Sequence, residues 1–255
     1  MTDAPLIQVD RLVGGYGETV ILDDVSFSVA PGEVFVILGG SGCGKSTLLK
    51  HMIGLKAPRS GRVLIGGEDF TAATGDDHRA ILRRFGVTYQ SGALFGSLTI
   101  RENIRLPMEE FTTLPDEAMD LAARIKLSLV GLSGYEEHMP AELSGGMRKR
   151  AALARAMALD PDIMFLDEPS AGLDPVTSAG LDELILSLRD SLGMTFVVVT
   201  HELPSIYTIA DRVIMLDKRT RGIIAEGRPN DLKDHSDNPW VRHFFNRKAE
   251  SDEQP

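Results

Sequence analysis

The 255-residue chain has one cysteine, Cys43, no run of eighteen apolar residues, and too few cations to balance its acids. A lone thiol cannot close an internal disulfide, which excludes a disulfide-stapled scaffold. The missing apolar run argues against a membrane-spanning helix, and no charged-then-apolar leader stands between Met1 and Pro31. These absences predict a chain that works in a reducing cytoplasm. Lys and Arg number 27 against 37 Asp and Glu, a formal charge of -10, which argues against general nucleic-acid binding because phosphate contacts need clustered cations. Internal repeats and low-complexity segments are absent too. The remaining balance, 43% hydrophobic and 25% charged residues, suits one large domain or a core with an inserted subdomain.

Against this plain background one segment stands out. Gly39-Gly40-Ser41-Gly42-Cys43-Gly44-Lys45-Ser46 fits the pattern of Gly, four residues, then Gly-Lys-Ser. A polyphosphate needs inward-turned backbone amides, a chain free of side chains at close approach, a cation over the β and γ groups and a hydroxyl for Mg2+. The glycines, Lys45 and Ser46 supply these in turn. The apolar run Val34–Leu38 reads as a buried parallel strand, and Thr47–Ile53 can open a helix, so strand, loop and helix occur in the required order.

Other residues carry chemistry only in company. Asp167 and Glu168 follow the apolar run Ile163–Leu166, hence the carboxyl end of a strand, where open parallel sheets place ligands. Asp167 suits Mg2+ through water and Glu168 suits an attacking water, although Asp-Glu-Pro alone would equally fit a solvated turn. His201 follows the apolar run ending at Thr200 and can donate to a γ-phosphate, whereas a lone histidine is usually structural. Gln90 closes the strand Phe85–Gln90 and offers an amide oxygen. Tyr16, beside Gly14, Gly15 and Gly17, can stack on a purine or simply pack on the surface. Ser144-Gly145-Gly146 stands before the helical run Arg148–Leu159, where Ser144 reads as an N-cap and also as a second anion-binding end.

The remaining organisation is coarse. Short strands are expected at Ile7–Leu12 and Ile21–Val29 around a turn at Gly14–Gly17, a hairpin at Gly61–Phe70, and strands at Ile163–Leu166 and Thr195–Val199 flanking a helix at Leu181–Leu192. From Leu94 to Ala158 the spacing is helical, punctuated by Pro107, Pro115 and Pro140. Residues 249–255 read as a frayed end. Trp240 and Phe244, four apart, predict one aromatic helical face that packs on the chain's own surface or docks on a partner.

Taken in order, Gly39–Ser46, Gln90, Leu143–Gly146, Ile163–Glu168, Ser170–Asp174 and His201 resemble the full motif set of an ABC-type ATPase over about residues 5–230. The resemblance implies an α/β P-loop NTPase (RecA-like) fold, mostly parallel, with an antiparallel β subdomain and an inserted α-helical subdomain. It divides the chain into a core with its antiparallel part at 1–93, a helical subdomain with the signature at 94–158, the rest of the core at 159–233 and a tail at 234–255. It further implies ATP and Mg2+ as cofactors, and a homodimer in which each ATP lies between one subunit's phosphate loop and the other's signature. Carried over by position, Tyr16 stacks on adenine. Gly39, Gly40, Ser41, Gly42, Cys43, Gly44, Lys45, Ser46 and Thr47 hold the phosphates. Ser144, Gly145 and Gly146 meet the γ-phosphate in trans. Ser46, Gln90 and Asp167 serve Mg2+, Glu168 is the catalytic base, His201 the switch and Gln90 the loop glutamine. Met147 replaces the commonest glutamine, and Cys43 leaves a thiol in the loop, whose alkylation is expected to block hydrolysis with protection by ATP.

A narrower resemblance is carried by Tyr89–Phe95, Glu102–Met108, Thr112–Pro115 and Met139–Ala156, which look like the ATPases of Mla-type phospholipid transporters; Met147 then matches the subfamily. It implies an integral membrane permease (MlaE-like), an Mce-domain lipid-binding protein, in some relatives a STAS-domain regulator, no nucleic acid, and a peripheral place on the cytoplasmic face of the inner membrane. The alternative is the ATPase of an importer for a polar small-molecule nutrient. A soluble ABC protein of DNA repair or translation would need a long coiled coil or two ATPase halves, and neither is present in this sequence.

Overall fold

The computed structural model describes residues 4–247. The chain divides into two compact units, one formed by the residues up to Ala72 together with those from Val198 onward, the other by Ala73–Val197. The expected frayed end at 249–255 lies outside the described residues.

The first unit opens with β1 (Ile7–Tyr16) and β2 (Thr19–Val29), an antiparallel hairpin in register from Ile7 opposite Val29 to Tyr16 opposite Thr19. The expected turn at Gly14–Gly17 is therefore shorter: Gly14, Gly15 and Tyr16 still belong to the strand, and only Gly17 and Glu18 turn. Register shifts between Val9 and Gly15 let the glycines bend the ladder without ending it. β3 (Val34–Gly39) is buried along its whole length, as a strand covered on both faces should be. The phosphate-loop segment follows, then α1 (Lys45–Met52), which buries Thr47, Leu48, Leu49, His51 and Met52. β4 (Ser60–Ile65) and β5 (Glu68–Asp69) form the expected hairpin, and the antiparallel sheet runs β2-β1-β4-β5.

The second unit begins with α2 (Gly75–Leu82), a helix with no counterpart in the sequence expectations, followed by β6 (Phe85–Thr88). α3 (Ile100–Phe111) starts on a capping box: Thr99 Oγ1 accepts from the Glu102 amide at 3.2 Å and Glu102 Oε2 accepts from the Thr99 amide at 2.7 Å. Pro107 lies inside this helix rather than ending it. The cap and the buried Ile104 and Met108 offset a proline that costs an interior helix about 3 kcal/mol. α4 (Asp116–Leu129) is tied back by Arg101 and Arg105, which reach Asp120 at 3.2 and 2.8 Å. After a 3-10 turn at Pro140–Glu142 comes α5 (Gly145–Ala156), with Ala151–Ala154 buried. β7 (Ile163–Asp167) runs parallel to β6, pairing Phe85 with Ile163 through Thr88 with Leu166. α6 (Pro175–Leu192) begins six residues before the expected helix because Asp174 caps it, accepting from the Val176 and Thr177 amides at 3.1 Å. Strand order here is β8-β7-β6, where β8 (Thr195–Val199) contains the boundary between the units.

The chain then completes the first unit with α7 (Leu203–Ile209), β9 (Arg212–Asp217), β10 (Gly222–Gly227), α8 (Pro229–His235) and α9 (Pro239–Phe245). β9 pairs parallel with β3 and antiparallel with β10. In α9 the buried pair is Val241 and Phe245, one position on from the expected Trp240 and Phe244. Tyr207 fixes that rotation: its hydroxyl donates to the Phe245 carbonyl at 2.9 Å. Among the described residues no helix is long and apolar enough to cross a membrane.

Candidate active-site elements

In the first unit the segment between β3 and α1 is shaped by contacts that only a glycine permits at its start. Gly39 has φ 147°, and a Cβ there would strike the Leu216 carbonyl and come within 2.6 Å of the Cys43 sulfur. Lys45 folds back over its own loop, Nζ donating to the carbonyls of Gly39 at 2.7 Å and Gly40 at 3.1 Å. The ammonium is thus already held over the turn where amides and a cation can receive phosphate. Ser46 is exposed at the helix start and Thr47 is buried behind it. Cys43 points inward, 2% exposed, and burial pushes its thiol pKa up despite the nearby Lys45. The expected reactive thiol is therefore covered. A cleft of about 210 Å3 beside the loop is lined by Gly40, Ser41, Cys43, Asp217 and Trp240.

Tyr16, at the end of β1, is 46% exposed. Lys56 Nζ stands 3.4 Å from its ring centroid, and Lys50 Nζ donates to its hydroxyl at 3.4 Å. Hydrogen bonds from Thr47 and Lys50 hold the phenol below its usual pKa. His201 follows β8 with a 57% exposed side chain, its Nε2 3.8 Å from Glu202. Beneath α1, His51 is buried, Nδ1 2.8 Å from the Lys56 carbonyl, and Nε2 faces Gly14, where a Cβ would collide with the ring. Burial pushes the His51 pKa down.

In the second unit the two acids sit where the sequence puts them, Asp167 closing β7 and Glu168 immediately beyond. Glu168 has φ 47°, a left-handed conformation that a non-glycine residue holds only at a cost of order 1–3 kcal/mol. Ser144 caps α5 as expected, Oγ accepting from the Met147 amide at 3.3 Å. Ser144 and Gly145 are exposed, so hydroxyl and helix-terminal amides can still meet an external anion. Gly146 is needed for closeness, since a Cβ would collide with the Thr177 methyl on α6.

Sequence reasoning missed what joins these parts of the second unit. Lys149 on α5 donates from Nζ to the Gln90 carbonyl and, at 3.3 Å, to the Glu168 carbonyl. Burial lowers its pKa, while Glu168 and Asp167 act in the opposite sense. Arg155 donates to the carbonyls of Ala93 at 2.7 Å and Gly92 at 3.1 Å. The available signal was the four cations Arg148, Lys149, Arg150 and Arg155 on an alanine-rich helix with a buried face, where those nearest that face must find oxygens.

Comparisons with known proteins identify the family and the fold. Residues 22–171 match the family described as ABC transporter. The chain is 41% identical over 240 residues to the "Probable ribonucleotide transport ATP-binding protein mkl" of Mycobacterium tuberculosis H37Rv, covering 94% of this chain and 66% of that relative. It is equally 41% identical over 235 residues to the "Intermembrane phospholipid transport system ATP-binding protein MlaF" of Escherichia coli K12, covering 92% of this chain and 86% of that one. Among solved structures, a cassette titled as a dimeric post-hydrolysis state of MJ0796 bound to ADP and Pi superposes with a TM-score of 0.78 at 30% identity, covering 87% of this chain and 98% of the other. CbiO1 from Clostridium perfringens gives 0.82 at 26% identity, covering 91% of each. The fold is that of a P-loop NTPase cassette, and the chain belongs to the ABC transporter family.

Proposed function

We propose that the chain is the ATP-hydrolysing subunit of a transporter that moves phospholipid between bacterial membranes. Two copies act together, bound through an integral permease to the cytoplasmic face of the inner membrane, with an Mce-domain lipid-binding protein in the same assembly and, in some relatives of this type, a STAS-domain regulator. The observation that carries the cargo is the 41% identity that spans 86% of the Escherichia coli phospholipid-transport protein. The mycobacterial relative, equally identical, is named for ribonucleotide transport and favours a polar cargo as the second reading.

On this reading Tyr16 stacks on adenine, the loop Gly39–Thr47 holds the phosphates, and Lys45 trades its two carbonyl partners for the β and γ oxygens. Ser46, with Gln90 and Asp167, offers oxygen donors of the hard kind that Mg2+ prefers; the ion would neutralise phosphate charge. Ser144, Gly145 and Gly146 present the open start of α5 to the γ-phosphate in the other copy's site. Glu168 takes the proton of the attacking water, and His201 donates to the γ-phosphate.

Two measurements test it. Glu168→Gln should lower turnover by about 10²–10⁴-fold and hold a dimer with Mg-ATP; wild-type turnover would remove Glu168 from the base role. Lipid mass spectrometry on the copurified permease complex should find phospholipid, whereas a lipid-free complex that binds a polar solute would favour the second reading.

A further inference from the structure

Lys149 stands little more than one turn after Ser144 on α5 and holds two carbonyls that sequence places far apart. The Gln90 carbonyl lies 59 residues before it and the Glu168 carbonyl 19 residues after. An ammonium has three donors and no acceptor, so it can hold both carbonyls at one point in space. Neither carbonyl belongs to a strand ladder, because β6 ends at Thr88 and β7 at Asp167; the left-handed Glu168 shares its carbonyl between Lys149 and the Ala171 amide, which donates to it at 3.2 Å. Lys149 lines a small cavity together with the apolar Ala152, Leu153, Leu166 and Leu181. Arg155, further along the same helix, takes the carbonyls of Gly92 and Ala93, so the loop after Gln90 hangs from α5 at three points.

We infer that Lys149 is a positioning residue for hydrolysis: it ties the backbones of Gln90 and Glu168 to α5, so that both side chains are aimed from one support that begins at Ser144. The inference rests on the proposed role of Glu168 as base. It assigns Lys149 no contact with nucleotide. A displacement of α5 then moves the Gln90 loop and the base together, which gives the helix that starts at Ser144 a mechanical hold on the catalytic carboxylate.

The test is steady-state ATP hydrolysis by the full chain and its variants. Lys149→Met should lower kcat by about tenfold or more while KM for ATP stays within about twofold, because orientation and not binding is lost. Lys149→Arg keeps donors for both carbonyls and should remain within about threefold of wild type. In the Glu168→Gln background, Lys149→Met should add no further loss, since the two act as a unit. Wild-type kcat in Lys149→Met, a KM that rises in step with the loss, or full additivity with Glu168→Gln would overturn the inference. Should Lys149→Met fold poorly by thermal melting, Lys149→Gln against Lys149→Arg decides: a slow glutamine with a near-normal arginine supports it, and equal rates overturn it. Wild-type turnover in Glu168→Gln alone would instead sink the base assignment, whatever the lysine variants do.

Discussion

The ammonium of Lys45 donates to the carbonyl of Gly39, six residues back, at 2.7 Å, and to that of Gly40 at 3.1 Å. A cation already satisfied by neutral carbonyls gains by exchanging them for anionic phosphate oxygens, because hydrogen bonds between charged groups are worth about 1.5–3 kcal/mol. Lys45→Ala should therefore weaken ATP binding by roughly ten- to a hundredfold with little change in melting temperature, as read by calorimetric titration. Unchanged affinity would show that the ammonium stays on its own loop.

Tyr16 presents one ring to solvent with Lys56 over it and its hydroxyl engaged by Lys50. If the ring stacks on adenine, Tyr16→Ala should weaken ATP binding by about five- to a hundredfold, in keeping with 1–3 kcal/mol per stacked base. Tyr16→Phe should keep most of it. Equal losses in the two variants, measured with a fluorescent ATP analogue, would assign the effect to the hydroxyl.

His51 makes stability depend on pH. Its imidazole is buried and its pKa lies below the ordinary 6.5, so the folded chain favours the neutral ring while the unfolded chain takes up a proton near 6.5. The unfolded state binds more protons below that value, and stability contributed by neutral His51 is complete above it and lost as pH falls toward the folded pKa. Melting temperature should drop between pH 7.5 and 5.5 in the wild type, and drop less in His51→Gln. Parallel profiles would clear His51 of the effect.

Cys43 is 2% exposed and its thiol is harder to ionise than usual. Because the thiolate is the nucleophile, iodoacetamide at neutral pH should modify native protein far more slowly than protein in denaturant. Cys43→Ala should keep ATP hydrolysis within about threefold, since small core residues at this position lose little packing. Fast native labelling with loss of activity, prevented by ATP, would restore the sequence-based expectation of an open thiol.

Much of the fold was legible because its signals are local. An apolar run bounded by turn residues marks β3 and β7 whatever surrounds it, and the hairpin of β4 and β5 follows from the turn residues Gly66 and Gly67 after Val63–Ile65. Ser144 was legible as a cap because capping needs only the amides three residues on. α2 escaped notice, for its single buried residue, Ile81, leaves no periodic stripe to read. Pro107 misled because a proline's local penalty says nothing of the burial that offsets it.

Composition and spacing by themselves determined the chemistry on offer: a phosphate loop with its cation and hydroxyl, two acids at a strand tip, a capped glycine pair, and one thiol. Those are properties of residue type and of neighbours a few positions away. Tertiary structure alone decided that Cys43 faces inward, that α9 buries Val241 and Phe245, and that one lysine holds the backbones of Gln90 and Glu168. Such contacts join residues whose separation along the chain carries no pattern, and they exist only once packing has taken their amines, carbonyls and side chains out of water and required each to find a partner.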